Sequence, residues 1–227
     1  MLKLISRRKS IGLIALSPFV IAHCARFGSN HSKDPYFKLL DVPAINRFDS
    51  KGCLPYAIKG ICEYYGIDRN LSEINRGLNR KFGEASHITD GIRLLSEFQL
   101  NVDFYYYRNS LIKSKNDYGK EEGVTKAQIP QKVRSHNQHL PLKTITSAVD
   151  NGNPSIIFVD AYSLKNKPQK GKFLGHYVTV IGYDSNNIYL NDILKASKRR
   201  KLDKDLFEKA RTNIPWEYGI VLSKIST

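Results

Sequence analysis

The stretch 175-GHYVTVIGYDSNNIYLND-192 decides the fold. Its first part reads as a strand, with His176, Val178 and Val180 on one side, because strand side chains alternate with period two. Asp184-Ser185-Asn186-Asn187 supplies turn chemistry, and 188-IYLND-192 returns as a second strand. Folding about Ser185–Asn186 pairs position i with roughly 371 − i in an antiparallel hairpin. His176 then lies opposite about position 195, and a small turn or bulge displacement brings it beside Asp192. A carboxylate beside an imidazole fixes its tautomer and stabilises its protonated form.

An imidazolium of that kind can pair with a thiolate. The candidate lies far upstream, in 53-CLPYAIKGICEYYG-66. Pro55 suits the first turn of a helix and Gly66 its end. Cys53 then occupies the helix start, where the dipole and free backbone N–H groups favour a thiolate. Ala57, Ile58, Ile61, Cys62 and Tyr65 recur at helical spacing, which makes Cys62 a core residue. A cysteine first, a distant histidine next and a carboxylate last is the papain-like order.

Outward from these two segments the chain reads as helices followed by strands. The segment 70-NLSEINRGLNRKF-82 is a helix with Asn70 and Glu73 as a capping box. Another helix covers 89–99, capped by Thr89 or Asp90. The aromatic run 101-NVDFYYYR-108 is a strand, in which Tyr105, Tyr106 and Tyr107 are packing residues. Residues 109–142 read as a long polar insertion. A short helix at 144–152, a strand at 155–162, a helix at about 203–211 and a strand at 217–225 complete the pattern. Helices first and an antiparallel sheet second make an α+β domain. The run 195-KASKRRK-201 reads as a solvated loop. His87, His136 and His139 read as surface residues without chemical company.

The N-terminus has a different character. A basic stretch, 1-MLKLISRRK-9, precedes twelve mostly apolar residues, 11-IGLIALSPFVIA-22. This is signal-peptide arithmetic, and the apolar run is too short to span a bilayer. Arg7-Arg8 resembles a twin-arginine export signal, and 20-VIAHC-24 a lipoprotein cleavage box with Cys24 as the lipidation candidate. His23 stands where that box expects a small residue. The expected organisation is a leader over 1–24, a flexible tether over 25–40 and a peptidase-sized domain over 41–227. An exported protein of a bacterial cell envelope follows, periplasmic or membrane-anchored. The formal charge of +15 suits an anionic membrane or cell-wall surface as a partner. Nucleic acid is disfavoured, since no helix-turn-helix, zinc or RNA-binding signature is present. Cys53 and Cys62 lie about 13 Å apart along one helix, beyond disulfide reach. No ligand spacing for a metal and no cofactor motif is evident.

The quoted segments, with 87-HITDGIRLLSEF-98 and 151-NGNPSIIFVD-160, resemble the papain-like cysteine peptidase superfamily. Within it they resemble the bacteriocin-processing (double-glycine) peptidase family, over residues 41–225. The resemblance implies a papain-like fold, an N-terminal helical half packed on a C-terminal antiparallel sheet. It implies Cys53 as nucleophile, His176 as base, Asp192 as orienter and a peptide or protein as substrate. Two positions depart from the family pattern. Leu54 follows the nucleophile where glycine is common, and Arg47 stands where a glutamine would bind the oxyanion. Asn46, one position further away, is the candidate amide donor. The expected function is an exported cysteine peptidase or amide-bond hydrolase using an acyl-enzyme intermediate. The alternative is a catalytically impaired module that binds peptide or cell-wall polymer in the same cleft.

Overall fold

The computed structural model of the chain describes residues 34–46, 49, 51–109, 115–116, 123–167, 172–195 and 199–225. Its first element, β1 (Lys38–Leu39), lies in the segment expected as tether. Helix α1 (Cys53–Tyr65) ends as its sequence demands, with Gly66 in the left-handed region at φ 71°. Only glycine takes that conformation without cost, and its N–H closes the last turn on Glu63 O. Helix α2 (Leu71–Gly77) carries the expected reciprocal cap between Asn70 and Glu73. Helix α3 (Ile88–Glu97) starts earlier than expected, with His87 and not Thr89 or Asp90 at the cap position. The reason is packing: Ile88 is buried, and the Asp90 carboxylate is taken by Asn79 and Arg93.

The chain continues through β2 (Leu100–Arg108), β3 (Lys115–Asn116) and β4 (Arg134–His136). Helix α4 (Leu142–Asp150), β5 (Ser155–Asp160) and the single turn α5 (Ala161–Leu164) follow. Then come β6 (Lys172–Phe173), β7 (Gly175–Tyr183), β8 (Asn187–Asn191) and β9 (Arg199–Asp203). Helix α6 (Lys204–Thr212) and β10 (Trp216–Lys224) finish the fold.

One mixed sheet runs β4-β2-β10-β5-β7-β8-β9, with β1 pairing the far end of β7. Each neighbouring pair in it is antiparallel except β4, which lies parallel to β2. The α+β, papain-like expectation holds, with two additions. The helical half contributes β2 to the sheet, and helices cover both faces. On one face α1 and α3 bury Ile58, Ile61, Ile92 and Leu95 against Phe104, Phe158 and Ile220. On the other, α4 and α6 bury Ile145, Val149 and Phe207 against Ile157, Val159, Val178 and Leu190. Alternation along β5 divides the residues between the two cores, as period two requires. At about 1.5–3 kcal/mol for each large apolar side chain, these cores fix the orientation of every strand that carries a site residue.

The central hairpin folds about its Asp184–Asn187 turn as its residues dictate. Asp184 Oδ1 accepts the Asn186 and Asn187 N–H groups. Near the turn Tyr183 pairs with Ile188 and Gly182 with Tyr189; a bulge then shifts the register by one residue, so that Val180 faces Leu190. Gly182 is required here, because a Cβ would lie 2.4 Å from Lys38 O in β1. Two readings of the sequence need correction. Part of the 109–142 insertion is structured, as a 3₁₀ turn at Lys126–Gln128 and as β4. The basic run 195–201 is not all loop, since Arg199–Asp203 forms β9 beside β8.

Candidate active site

Three elements meet around one sulfur. Cys53 is the first residue of α1, and no side chain caps this helix, nor does an acidic residue occupy its first turn. The helix start therefore keeps its free N–H groups and its positive potential for the thiol. Gly52 just before it allows the Tyr56 ring to close over the turn, where a Cβ would come within 2.5 Å of that ring. His176, near the start of β7, is 3% exposed. Its Nε2 lies 2.8 Å from Asp192 Oδ1. That contact commits Nε2 and leaves Nδ1 as the ring nitrogen available to Cys53, whose sulfur lies within electrostatic reach of the ring. The three residues singled out by the sequence are thus brought together.

The electrostatics follow from these contacts. Burial alone would push the Cys53 thiol up. The His176 ring and the backbone N–H groups of Tyr177 and Leu54 outweigh it and bring the thiol below its ordinary value. Burial likewise opposes a charged His176, but the Asp192 bond and the Cys53 sulfur raise it to about 9. Asp192 has a fully buried side chain. Burial would raise its carboxyl; the His176 bond, the Leu194 N–H and the Arg200 charge hold it below the usual range. The site is built to hold a thiolate and an imidazolium together. Cys62, nine residues on, has no such partners; it is fully buried and pushed up to about 11.

Asn191, beside Asp192, donates through Nδ2 to Val42 O and Pro43 O. Those bonds seat the segment 43–45 against a small cavity that Cys53 also lines. Asn46 follows directly and is exposed. Arg47 and Cys24 lie outside the described residues. On the far side of Tyr177 opens a cleft of about 490 Å³, walled by His87, Asp90, Val124, Gln128 and Tyr218. Among the described residues no group of three or more His, Cys, Asp and Glu side chains could hold a metal ion. No described helix is long and apolar enough to cross a membrane.

The Peptidase C39-like family model matches residues 39–218. The chain belongs to this family. A crystallised protein from Bacillus anthracis, described as a C39-like peptidase, has the same fold at 16% identity and a TM-score of 0.52. That match covers 84% of this chain and 99% of the other. The peptidase domain of Streptococcus ComA, a bi-functional ABC transporter, matches at 15% identity and TM-score 0.49, over 83% of this chain and 98% of that one. A double glycine motif protease from an AMS/PCAT transporter, solved with its leader peptide, matches at 14% and 0.48, over 82% and 95%. No curated protein matches the chain.

Within this C39-like domain Leu54, the first departure from the family pattern, does not obstruct the cleft. It is 1% exposed and packs into the core under α3. Gly91 makes the room, since a Cβ there would stand 3.0 Å from Leu54 Cδ2. A larger residue should be expelled by that contact. Gly91→Val is expected to destabilise the domain by about 1–3 kcal/mol through overpacking. Thermal unfolding measures it, and shortening Leu54 to alanine in the same chain should relieve part of the loss.

Other residues were less legible. His139 and His136 have company after all. His139 Nδ1 lies 2.6 Å from Glu217 Oε2 and its Nε2 accepts from Arg211, while His136 Nε2 lies 3.1 Å from Asp103 and the ring stacks on Tyr105. These partners come from β10, α6 and β2, and no local spacing announces them. Arg200 was missed for the same reason: its contact depends on β9 pairing with β8.

Proposed function

We propose that this C39-like domain is an active cysteine peptidase or amide-bond hydrolase, with Cys53 as nucleophile, His176 as acid and base, and Asp192 as orienter. The observation that carries the reading is the buried His176–Asp192 pair set beside Cys53 at an uncapped helix start, an arrangement that favours a lowered thiol and a raised imidazole. The Cys53 thiolate attacks the peptide carbonyl carbon, and the carbonyl electron pair moves to oxygen. Collapse of that adduct breaks the C–N bond, and the His176 imidazolium gives its proton to the leaving amine. Water then loses a proton to neutral His176 as it attacks the thioester, which releases the acid and the thiol. Asp192 stays ionised throughout and holds the ring. The exposed amide of Asn46, at the end of the 43–45 segment, is the candidate oxyanion donor. The substrate is a peptide or protein chain entering by the cleft beside Tyr177.

Leu54 lies in the core, so only Arg47 still favours the impaired binding module over an enzyme. Treatment of the protein with iodoacetamide at pH 6 tests the choice, together with hydrolysis of peptides containing a double-glycine site. The expected result is rapid labelling of Cys53, slow labelling of Cys62, and cleavage that is lost in Cys53→Ala. Equal sluggish labelling of both thiols and no cleavage would leave only a binding module. Export and lipidation of Cys24 belong to the same proposal, and fractionation of cells carrying the full chain or its Cys24→Ser variant tests them.

The titrations also set a pH window. The thiolate is present above the lowered value of Cys53, and the imidazolium persists until pH rises through about 9. A bell-shaped kcat/KM is expected, with its alkaline limb near pH 9 and its acid limb below the ordinary thiol range. An alkaline limb near pH 6.5, the value of an unpaired histidine, would contradict the pairing.

A further inference from the structure

We propose that Arg200 is a positioning residue of the candidate active site, the fourth member of an alternating chain of charges that begins at Cys53. The inference rests on the proposed reading of Cys53 as a thiolate nucleophile, and extends it to a residue on a strand that carries no part of the triad. Arg200 Nε stands 2.8 Å from Asp192 Oδ2, on the side of the carboxylate that His176 does not use. Its side chain is 14% exposed and that of Asp192 is fully buried. Arg200 Nη1 donates to Leu164 O at 2.9 Å, so the guanidinium is anchored from α5 as well as from β9.

The contact is one of charge more than of aligned hydrogen bonding. Asp192 Oδ2 and Arg200 Nε are both buried and lack a well-directed hydrogen-bond partner. What the guanidinium supplies is therefore its positive charge. In order along the chain of contacts stand a thiolate, an imidazolium, a carboxylate and a guanidinium. Two negative and two positive charges leave the buried cluster neutral. Without Arg200 the same cluster would carry a net negative charge in a poorly solvated place, which is costly.

Other charged groups on the surrounding elements are committed elsewhere. Arg199 pairs with Asp41, Lys201 with Asp184, and Lys59 with Glu63. Asp160, at the end of β5, accepts from Tyr162 N, Ser163 N, Ser163 Oγ and Leu174 N. Tyr56 and Tyr177 line the cavity at Cys53. Arg200 is thus the cation that faces Asp192 across from His176. The β8–β9 ladder, which runs up to Asn191 beside Asp192, is what brings Arg200 to this place.

The sign of its effect is fixed. Removing a positive charge makes every nearby proton harder to lose. The acid limb of Cys53 reactivity and the alkaline limb set by His176 should both move to higher pH. A residue that only held the fold together would lower the rate at every pH and leave the limbs where they were.

The experiment is the pH profile of iodoacetamide labelling at Cys53 in the full chain, for the wild type, Arg200→Gln, Arg200→Met and Arg200→Lys. In the two neutral variants the acid limb of labelling is expected to rise by about one pH unit, a tenfold change in the thiolate ratio, and the alkaline limb of kcat/KM for peptide hydrolysis should rise with it. The lysine variant should restore most of that shift, since it returns the charge. The two neutral residues differ in polarity, so the comparison survives if one of them does not fold. Superimposable limbs in wild type and neutral variants would overturn the proposal. So would a uniform rate loss that lysine fails to correct. Either result leaves hydrolysis by Cys53 untouched, whereas a wild-type thiol with no acid-range reactivity would sink the peptidase reading itself.

Discussion

Replacing His176 by alanine is expected to lower peptide hydrolysis by about 10⁴-fold, since general acid–base catalysis alone contributes about 10²–10⁴. The remainder comes from the thiol. Cys53 is held below its ordinary value chiefly by His176, against burial that pushes it up. Without the ring, burial prevails except for the Tyr177 and Leu54 N–H groups, and the midpoint of alkylation should move above the free-thiol value of about 8.5. The fold should survive, because Asp192 keeps the Leu194 N–H and the Arg200 charge. The expected split is a collapse of kcat with a modest change in KM, since the ring acts on reacting atoms and not on the cleft beyond Tyr177. Asp192→Asn should lose less than His176→Ala: the amide can still touch the ring, but the imidazolium loses its counter-charge. A His176→Ala protein within tenfold of wild type would mean that another group moves the proton.

These residues could be read from the sequence because hairpin geometry is local. A tight turn with Asp184 at its head fixes which residues face each other as far as Thr179 and Asn191, and Asp192, the next residue, reaches His176 from the end of that ladder. Cys53 was legible from the helix it starts, whose apolar spacing and terminal Gly66 are both written in one short segment. What could not be read depends on contacts between distant segments. Strand β9 has only Leu202 buried among five residues, so it carries no alternating apolar pattern. It is a strand because the β8 edge offers unpaired backbone groups. Strand β4 is three residues long and partly exposed, held parallel to β2 with an Arg134–Asp103 pair alongside. The α3 start was misplaced because the cap rule favours Thr89 or Asp90, whereas burial of Ile88 decided the matter. The fate of Leu54 hinged on Gly91, thirty-seven residues away, which no one-dimensional pattern connects to it.

A second large effect is expected at a pair with no part in the chemistry. Arg80→Ala should destabilise the domain by about 3–5 kcal/mol, the loss typical when one partner of a buried ion pair is removed. Arg80 and Asp49 have side chains only 2% and 4% exposed, and Nη2 meets Oδ2 at 2.5 Å. The remaining Arg80 donors reach Asn75 Oδ1 and Glu84 O, and Asp49 also takes the N–H groups of Gly83 and Lys51. Removal of the guanidinium strands a buried carboxylate with two backbone donors. For a domain of this size the melting temperature should fall by about 10 °C. The pH dependence follows from Asp49. Burial pushes its carboxyl up, but the Gly83 N–H, Arg80 and the Lys51 N–H outweigh it and hold the value low. Its stabilisation is complete above the unfolded value of about 3.9 and fades as pH falls through the lower folded value. In Arg80→Ala the folded value rises, so the acid-side loss should shrink, and if burial lifts it past about 3.9 acid should stabilise the variant instead. The double variant Asp49→Ala/Arg80→Ala should lose less than the two singles combined, because it leaves no uncompensated charge. Activity at a temperature where Arg80→Ala is still folded should also drop. Asp49 O receives the Gly52 N–H, so this pair anchors the chain that delivers Cys53 to the start of α1. Full activity with a lowered melting point would confine the pair to stability; unchanged melting would show that the carboxylate finds compensation elsewhere.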